Sequence, residues 1–146
     1  MRDERDSSAI PLYRKKDNKE DDMIIEIDFN SEEALYIQLR NQIIMGIATA
    51  RYREGDSLPS VRAMADEIGI NMHTVNKAYA VLKQEGILTL DRRNGAVISV
   101  SSDKLIAMKE TERELQVPLA KAFCKGLSKA EVHAIIDDIY EGYGGK

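Results

Sequence analysis

The stretch Leu58-Pro59-Ser60-Val61-Arg62-Ala63-Met64-Ala65-Asp66-Glu67-Ile68-Gly69-Ile70-Asn71-Met72-His73-Thr74-Val75-Asn76-Lys77-Ala78-Tyr79 decides the fold. Ser60 is a natural N-cap. Val61, Met64, Ala65 and Ile68 then share one apolar face, and Gly69 suits the left-handed residue that closes such a helix. After Ile70, Asn71 can cap a second helix with Val75, Ala78, Tyr79 and Leu82 on its inner face, ending at Gly86. A short helix joined through Gly69-Ile70-Asn71 to a longer one has helix-turn-helix spacing.

Upstream, Leu35, Leu39, Ile43, Ile44 and Ile47 recur at helical spacing and predict a helix from about Glu32 to Thr49. Ser31 is its expected cap, with Glu32 and Glu33 in the positive first turn. Met23 to Phe29 reads as a short β-type run. Downstream, Ile87-Leu88-Thr89-Leu90 and Ala96-Val97-Ile98-Ser99-Val100 read as two strands. Asp91-Arg92-Arg93-Asn94-Gly95 joins them, with Asn94-Gly95 supplying positive-φ residues. The hairpin is the wing of a winged helix-turn-helix.

Three segments follow. Residues 1–22 are charged and lack apolar periodicity, so a mobile N-terminal tail is expected. Residues 23–100 form the winged helix-turn-helix domain. Residues 101–146 form a helical region with an apolar stripe of Leu105, Met108, Leu115, Leu119 and Ala122. Pro118 inside that stripe predicts a kink or break at Val117. Ser128-Lys129-Ala130-Glu131 is a capping-box signature, opening a helix with Val132, Ile135, Ile136, Ile139 and Tyr140 on one side. The expected class is mainly α with a small β-wing, followed by a short two-helix C-terminal region. No internal repeat is visible.

Composition removes other classes. The 146 residues are 43% hydrophobic, enough to fill a core, which excludes wholesale disorder. One cysteine, Cys124, excludes an intramolecular disulfide framework and suits a reducing cytoplasm. No apolar run nears the roughly 18 residues of a membrane helix, and the start Met1 to Ser8 has no secretory apolar region. Two histidines and one cysteine leave little for a zinc site, and no cofactor is expected. The net charge of −4 does not decide for or against nucleic acid, because the local field governs contact. Residues 31–100 hold 8 basic and 8 acidic side chains, and no acid lies between Glu67 and Glu85.

On the second helix of the pair, Met72, His73, Asn76, Lys77 and Ala80 fall on the outward face. Asn can hydrogen-bond base edges, Lys can meet a guanine edge or a phosphate, and Ala80 permits close approach. Arg62 and the hairpin cations Arg92 and Arg93 flank that face and suit phosphates or the minor groove. Taken singly, each has a plainer reading: solvated loop arginines, an exposed lysine face, Asn71 as a cap alone, Tyr79 as core. Their joint placement favours DNA. A phosphate-binding glycine loop, a Cys–His arrangement and a metal-spaced His pair are all missing, so catalysis is not expected. The alternative is a winged-helix protein-interaction module without specific DNA binding.

Leu58 to Ala65, then Asn71 to Tyr79, Leu82 and Glu85-Gly86, resemble the GntR family of winged-helix regulators. The family pattern is an LPSxRxLA helix, a TVxxAYxxL recognition helix and an EG turn. The Ile24 to Asp28 strand and the helix bearing Tyr36, Gln38 and Ile43 are also similar to that family. About 46 residues after Val100 are too few for its larger effector domains, and a pair of short helices there resembles the YtrA subfamily. The resemblance implies a homodimeric transcription regulator, commonly a repressor whose gene neighbours transporters, acting on an inverted-repeat operator of double-stranded DNA. It implies DNA contacts at Ser60, Arg62, Asn71, His73, Thr74, Asn76 and Lys77, and at the wing residues Arg93, Asn94 and Gly95. It implies dimerisation through the C-terminal helices, in agreement with the stripes on Leu105, Met108, Leu115, Leu119, Ile135 and Ile139. Many relatives carry arginine where this chain has Met72, and a Gly-x-Gly-Thr-Phe-Val run where its wing reads Arg92 to Val97. A small-molecule effector is compatible with this reading, but no residue identifies one.

Overall fold

The computed structural model describes residues 9–12, 23–93 and 95–144. Two compact units divide between Val100 and Ser101. In the first, strands β1 (Ala9–Leu12) and β2 (Met23–Glu26) precede helices α1 (Leu35–Ala48), α2 (Val61–Ile68) and α3 (Met72–Gln84). Strands β3 (Leu88–Asp91) and β4 (Gly95–Ile98) follow. The second unit holds α4 (Lys104–Cys124) and α5 (Lys129–Glu141). Mainly helical with a two-stranded wing, the protein has the expected fold class.

The core of the first unit joins one face of each element. Ile25 from β2, Leu39 and Ile43 from α1, and Met64, Ala65 and Ile68 from α2 are buried. Val75, Ala78, Tyr79 and Leu82 of α3 complete it, with Leu88, Ala96 and Ile98 from the wing. The helical members belong to the stripes that the spacing selects, and Leu35, Ile44, Ile47 and Val61 of those stripes pack partly buried against the same core.

Two boundaries differ from the sequence reading. α1 starts at Leu35 with Ala34 as its cap and no side-chain cap bond, rather than at Glu32 behind Ser31. The Ser31 hydroxyl accepts instead from the Glu33 amide, within a turn. The buried Gln38 amide organises that turn: its Oε1 accepts from Asp28 N at 2.8 Å, and its Nε2 donates to the carbonyls of Asp28 and Glu33. A side chain reaching back from the first helical turn therefore satisfies the backbone of the preceding turn and holds it in a non-helical course up to Ala34. Secondly, the segment expected as a tail contains β1, which pairs antiparallel with β2 in the register Ile10↔Ile25 and Pro11↔Ile24. An isolated apolar strand leaves its ladder unpaired, and β1 supplies the partner. Pro11 is tolerated because both strands of this pair are edges. The remaining residues of that segment lie outside the described ones.

β3 and β4 pair antiparallel, Leu88↔Ile98 through Asp91↔Gly95. The chain before α2 lies on the other edge of β4, with Leu58 N donating to Ala96 O at 2.8 Å and Ile98 N to Asp56 O at 2.9 Å. The wing is thereby tied to the start of α2.

In the second unit, α4 runs unbroken through Pro118, so of the kink or break expected at Val117 the break is not found. Proline removes one donor, which leaves the carbonyl one turn back unbonded. Every residue of α4 is exposed or half-exposed, so that carbonyl is open to hydration and the helix continues. α5 opens with the expected capping box: Ser128 Oγ accepts from Glu131 N at 3.0 Å, and Glu131 Oε1 accepts from Ser128 N at 2.8 Å. No residue of either helix is buried.

Candidate nucleic-acid interface

α3 is held near its middle and at its C-terminal end by groups that leave its outward face free. Near its middle, the buried Tyr79 hydroxyl donates to the Pro59 carbonyl at 2.8 Å, fixing α3 against the residue before the α2 cap. Burial pushes the Tyr79 phenol well above its ordinary range, so it stays a neutral donor. At the C-terminal end, Arg40 of α1 grips the Glu85 carboxylate in a bidentate pair at 3.0 and 2.7 Å, the stronger geometry for such ions. Spacing placed Tyr79 correctly on the inner face, but it carries no signal for the hydroxyl's partner.

The turn between α2 and α3 is built from two capping devices. Gly69 closes α2 in the left-handed region at φ +74°, where a glycine avoids the steric cost of a side chain. Asn71 caps α3, its Oδ1 accepting from His73 N at 2.6 Å. Ser60 caps α2, its Oγ accepting from Ala63 N at 3.1 Å. The side-chain oxygens of Ser60 and Asn71 thus serve the helix ends.

The remaining predicted residues fall as follows. His73, Asn76 and Lys77 are exposed on α3, and Thr74 is half-buried. Arg62 is exposed on the first turn of α2. Lys77 extends over the half-buried Tyr36 ring of α1, its Nζ 4.2 Å from the ring centroid. This cation–π contact orients the ammonium, and Tyr36, partly buried against the core, contributes its ring to the surface beneath Lys77. At the wing, Arg93 N donates to Asp91 Oδ1 at 2.8 Å, and Gly95 has φ +73°. Asn94 lies outside the described residues.

Val61, Asn71, Met72, His73 and Asn76 are brought together around one open concavity of about 630 Å³ at the α2–α3 junction. Among the described residues, Ser60, Arg62, Thr74, Lys77, Arg93 and Gly95 do not line it. α3 carries no acidic side chain in its first turn, so its N-terminal dipole is uncompensated and favours an anion. Among the described residues no group of three His, Cys, Asp or Glu is placed to hold a metal ion. No helix there is long and apolar enough to cross a membrane.

Comparison with known proteins agrees with this architecture. Residues 33–98 match the family described as bacterial regulatory proteins, gntR family. The HTH-type transcriptional repressor YtrA of Bacillus subtilis is 31% identical over 119 residues, covering 80% of this chain and 92% of the repressor. Among solved structures, a transcriptional antiterminator from Listeria monocytogenes superposes with a TM-score of 0.71 at 27% identity, covering 82% of this chain and 92% of that one. YtrA from Sulfolobus acidocaldarius, a GntR-family transcription factor, gives a TM-score of 0.52 at 36% identity over 62% of this chain and 96% of its own. The chain belongs to the GntR family of helix-turn-helix transcriptional regulators, with YtrA-type regulators among its relatives.

Proposed function

We propose that the protein is a cytoplasmic, homodimeric repressor that binds an inverted-repeat operator by inserting α3 into the major groove. The carrying observation is the outward face of α3, where His73, Asn76 and Lys77 are exposed on a helix with no acid in its first turn. In this reading His73 and Asn76 meet base edges, while Arg62, Lys77 and Arg93 meet phosphates. The Ser60 and Asn71 backbones, with Thr74 and Gly95, let the duplex approach. The likeness to a protein named as a repressor supports the direction of regulation.

The second unit supports a dimer. Leu105, Met108, Leu115 and Leu119 on α4, and Ile135 and Ile139 on α5, are all exposed within one chain. Contiguous apolar surface of that kind marks an association site, and a second copy would bury it. Two recognition helices would then address half-sites about one helical turn apart.

Selection of binding sites from a randomised duplex pool, at two salt concentrations, tests the proposal. An enriched inverted repeat is the expected result. Retention without sequence preference, lost at moderate salt, would instead indicate that the winged helix engages another protein and meets DNA only through its charge.

A further inference from the structure

The concavity at the start of α3 is chemically divided. Asn71, His73 and Asn76 give it polar atoms, whereas Val61 and Met72 give it apolar surface. Met72 is 44% exposed at the first position of α3, away from the buried face of Val75, Ala78, Tyr79 and Leu82. Core packing therefore does not account for it. Val61, at the first position of α2, packs partly against the core and borders the same hollow. Asn71 Oδ1 is already committed to the His73 amide.

Neither apolar side chain can satisfy the strong acceptors that a guanine presents in the major groove, since a thioether donates nothing. Leaving those acceptors unpaired in a dehydrated contact is costly. Of the groups on the major-groove floor, the C5-methyl of thymine is the one that protrudes as a sizeable apolar surface. A flexible, polarisable methionine is suited to close on such a group. We infer that Met72, backed by Val61, is a specificity-determining contact to a thymine C5-methyl group, beside the polar base edges addressed by His73 and Asn76. This rests on the proposed entry of α3 into the major groove.

The test replaces each thymine of the enriched duplex singly by uracil, which removes the methyl and keeps every hydrogen-bonding group. For the wild-type protein, one position in each half-site should weaken binding about fourfold when substituted, the ratio that burial of one methyl group gives. Met72→Ala should bind the thymine and uracil duplexes equally, and Met72→Leu should retain the sensitivity. Because Met72 is outside the core, both variants should keep the wild-type melting temperature. Uracil tolerated at every position, or undiminished uracil sensitivity in Met72→Ala, would overturn the inference while leaving DNA reading intact. A pool that yields no enriched sequence would overturn both.

Discussion

Ala50 closes α1 in the left-handed region at φ +63°, the one described non-glycine residue there. Around it Ala50 N donates to Ile47 O and Arg51 N to Gly46 O, the two bonds of a Schellman ending. Left-handed backbone costs a side-chain-bearing residue about 1 kcal/mol or more, so Ala50→Gly should raise unfolding free energy by about 1 kcal/mol in urea titration. Tyr79 predicts a pH dependence of stability. Its folded pKa is raised, so above about pH 10, the ordinary tyrosine value, the unfolded state releases a proton that the folded state retains. Stability then falls as pH rises, by about 1.4 kcal/mol per pH unit for this group. Tyr79→Phe should reduce the alkaline slope by that amount, while lowering stability near neutrality by about 1 kcal/mol through loss of the Pro59 hydrogen bond. Capping residues were legible wherever a short side-chain oxygen precedes an apolar periodicity, as at Ser60, Asn71 and Ser128. Ser31 has the same signature and fails: its hydroxyl accepts from the Glu33 amide within a turn that Gln38 holds through Asp28 and the Glu33 carbonyl, and α1 starts only at Leu35. Such a long-range choice leaves no trace in local spacing.

At the scale of elements, the α2–α3 pair depends on its turn. A Cβ added at Gly69 would meet nothing within 4 Å, so the cost of Gly69→Ala is conformational rather than steric crowding by neighbours. It should destabilise the protein by about 1–2 kcal/mol, read from the denaturation midpoint. α3 is positioned by Tyr79 and by the Arg40–Glu85 pair, and each ties it to an element distant in sequence. The helix-turn-helix was readable from the local pattern because amphipathic faces and caps are local properties. Its anchoring was not, because the Arg40–Glu85 bond spans 45 residues. Pro118 shows the opposite case: of the kink or break that the local rule predicts, the break is absent, because an exposed helix tolerates the missing bond.

At the scale of the whole molecule, every buried hydrophobic residue described lies between Ile25 and Ile98, and none lies in the second unit. A chain ending at Val100 therefore keeps its core. It should melt cooperatively yet sediment as a monomer, whereas the full chain should sediment as a dimer. A dimeric truncated chain would move the interface to the winged unit. Phe123 at 79% and Tyr140 at 69% exposure show how much apolar surface α4 and α5 present alone. Those stripes were visible as a three-four spacing, but spacing cannot distinguish a face buried within the chain from one awaiting a partner. The β1–β2 pairing was not visible at all: Ala9 to Leu12 is too short, and interrupted by Pro11, to stand out from its charged surroundings.

The central claim is that the outward face of α3 reads sequence. The most direct measurement is the affinity of His73→Ala and Asn76→Ala for the enriched duplex and for single-base variants of it, beside Lys77→Ala. The two former variants should each lose about 1–3 kcal/mol on the enriched sequence and discriminate less between bases. Lys77→Ala should weaken all duplexes alike and lower the salt slope by about one. Unchanged affinity and unchanged base preference in both His73→Ala and Asn76→Ala would contradict the assignment of α3 as the recognition helix.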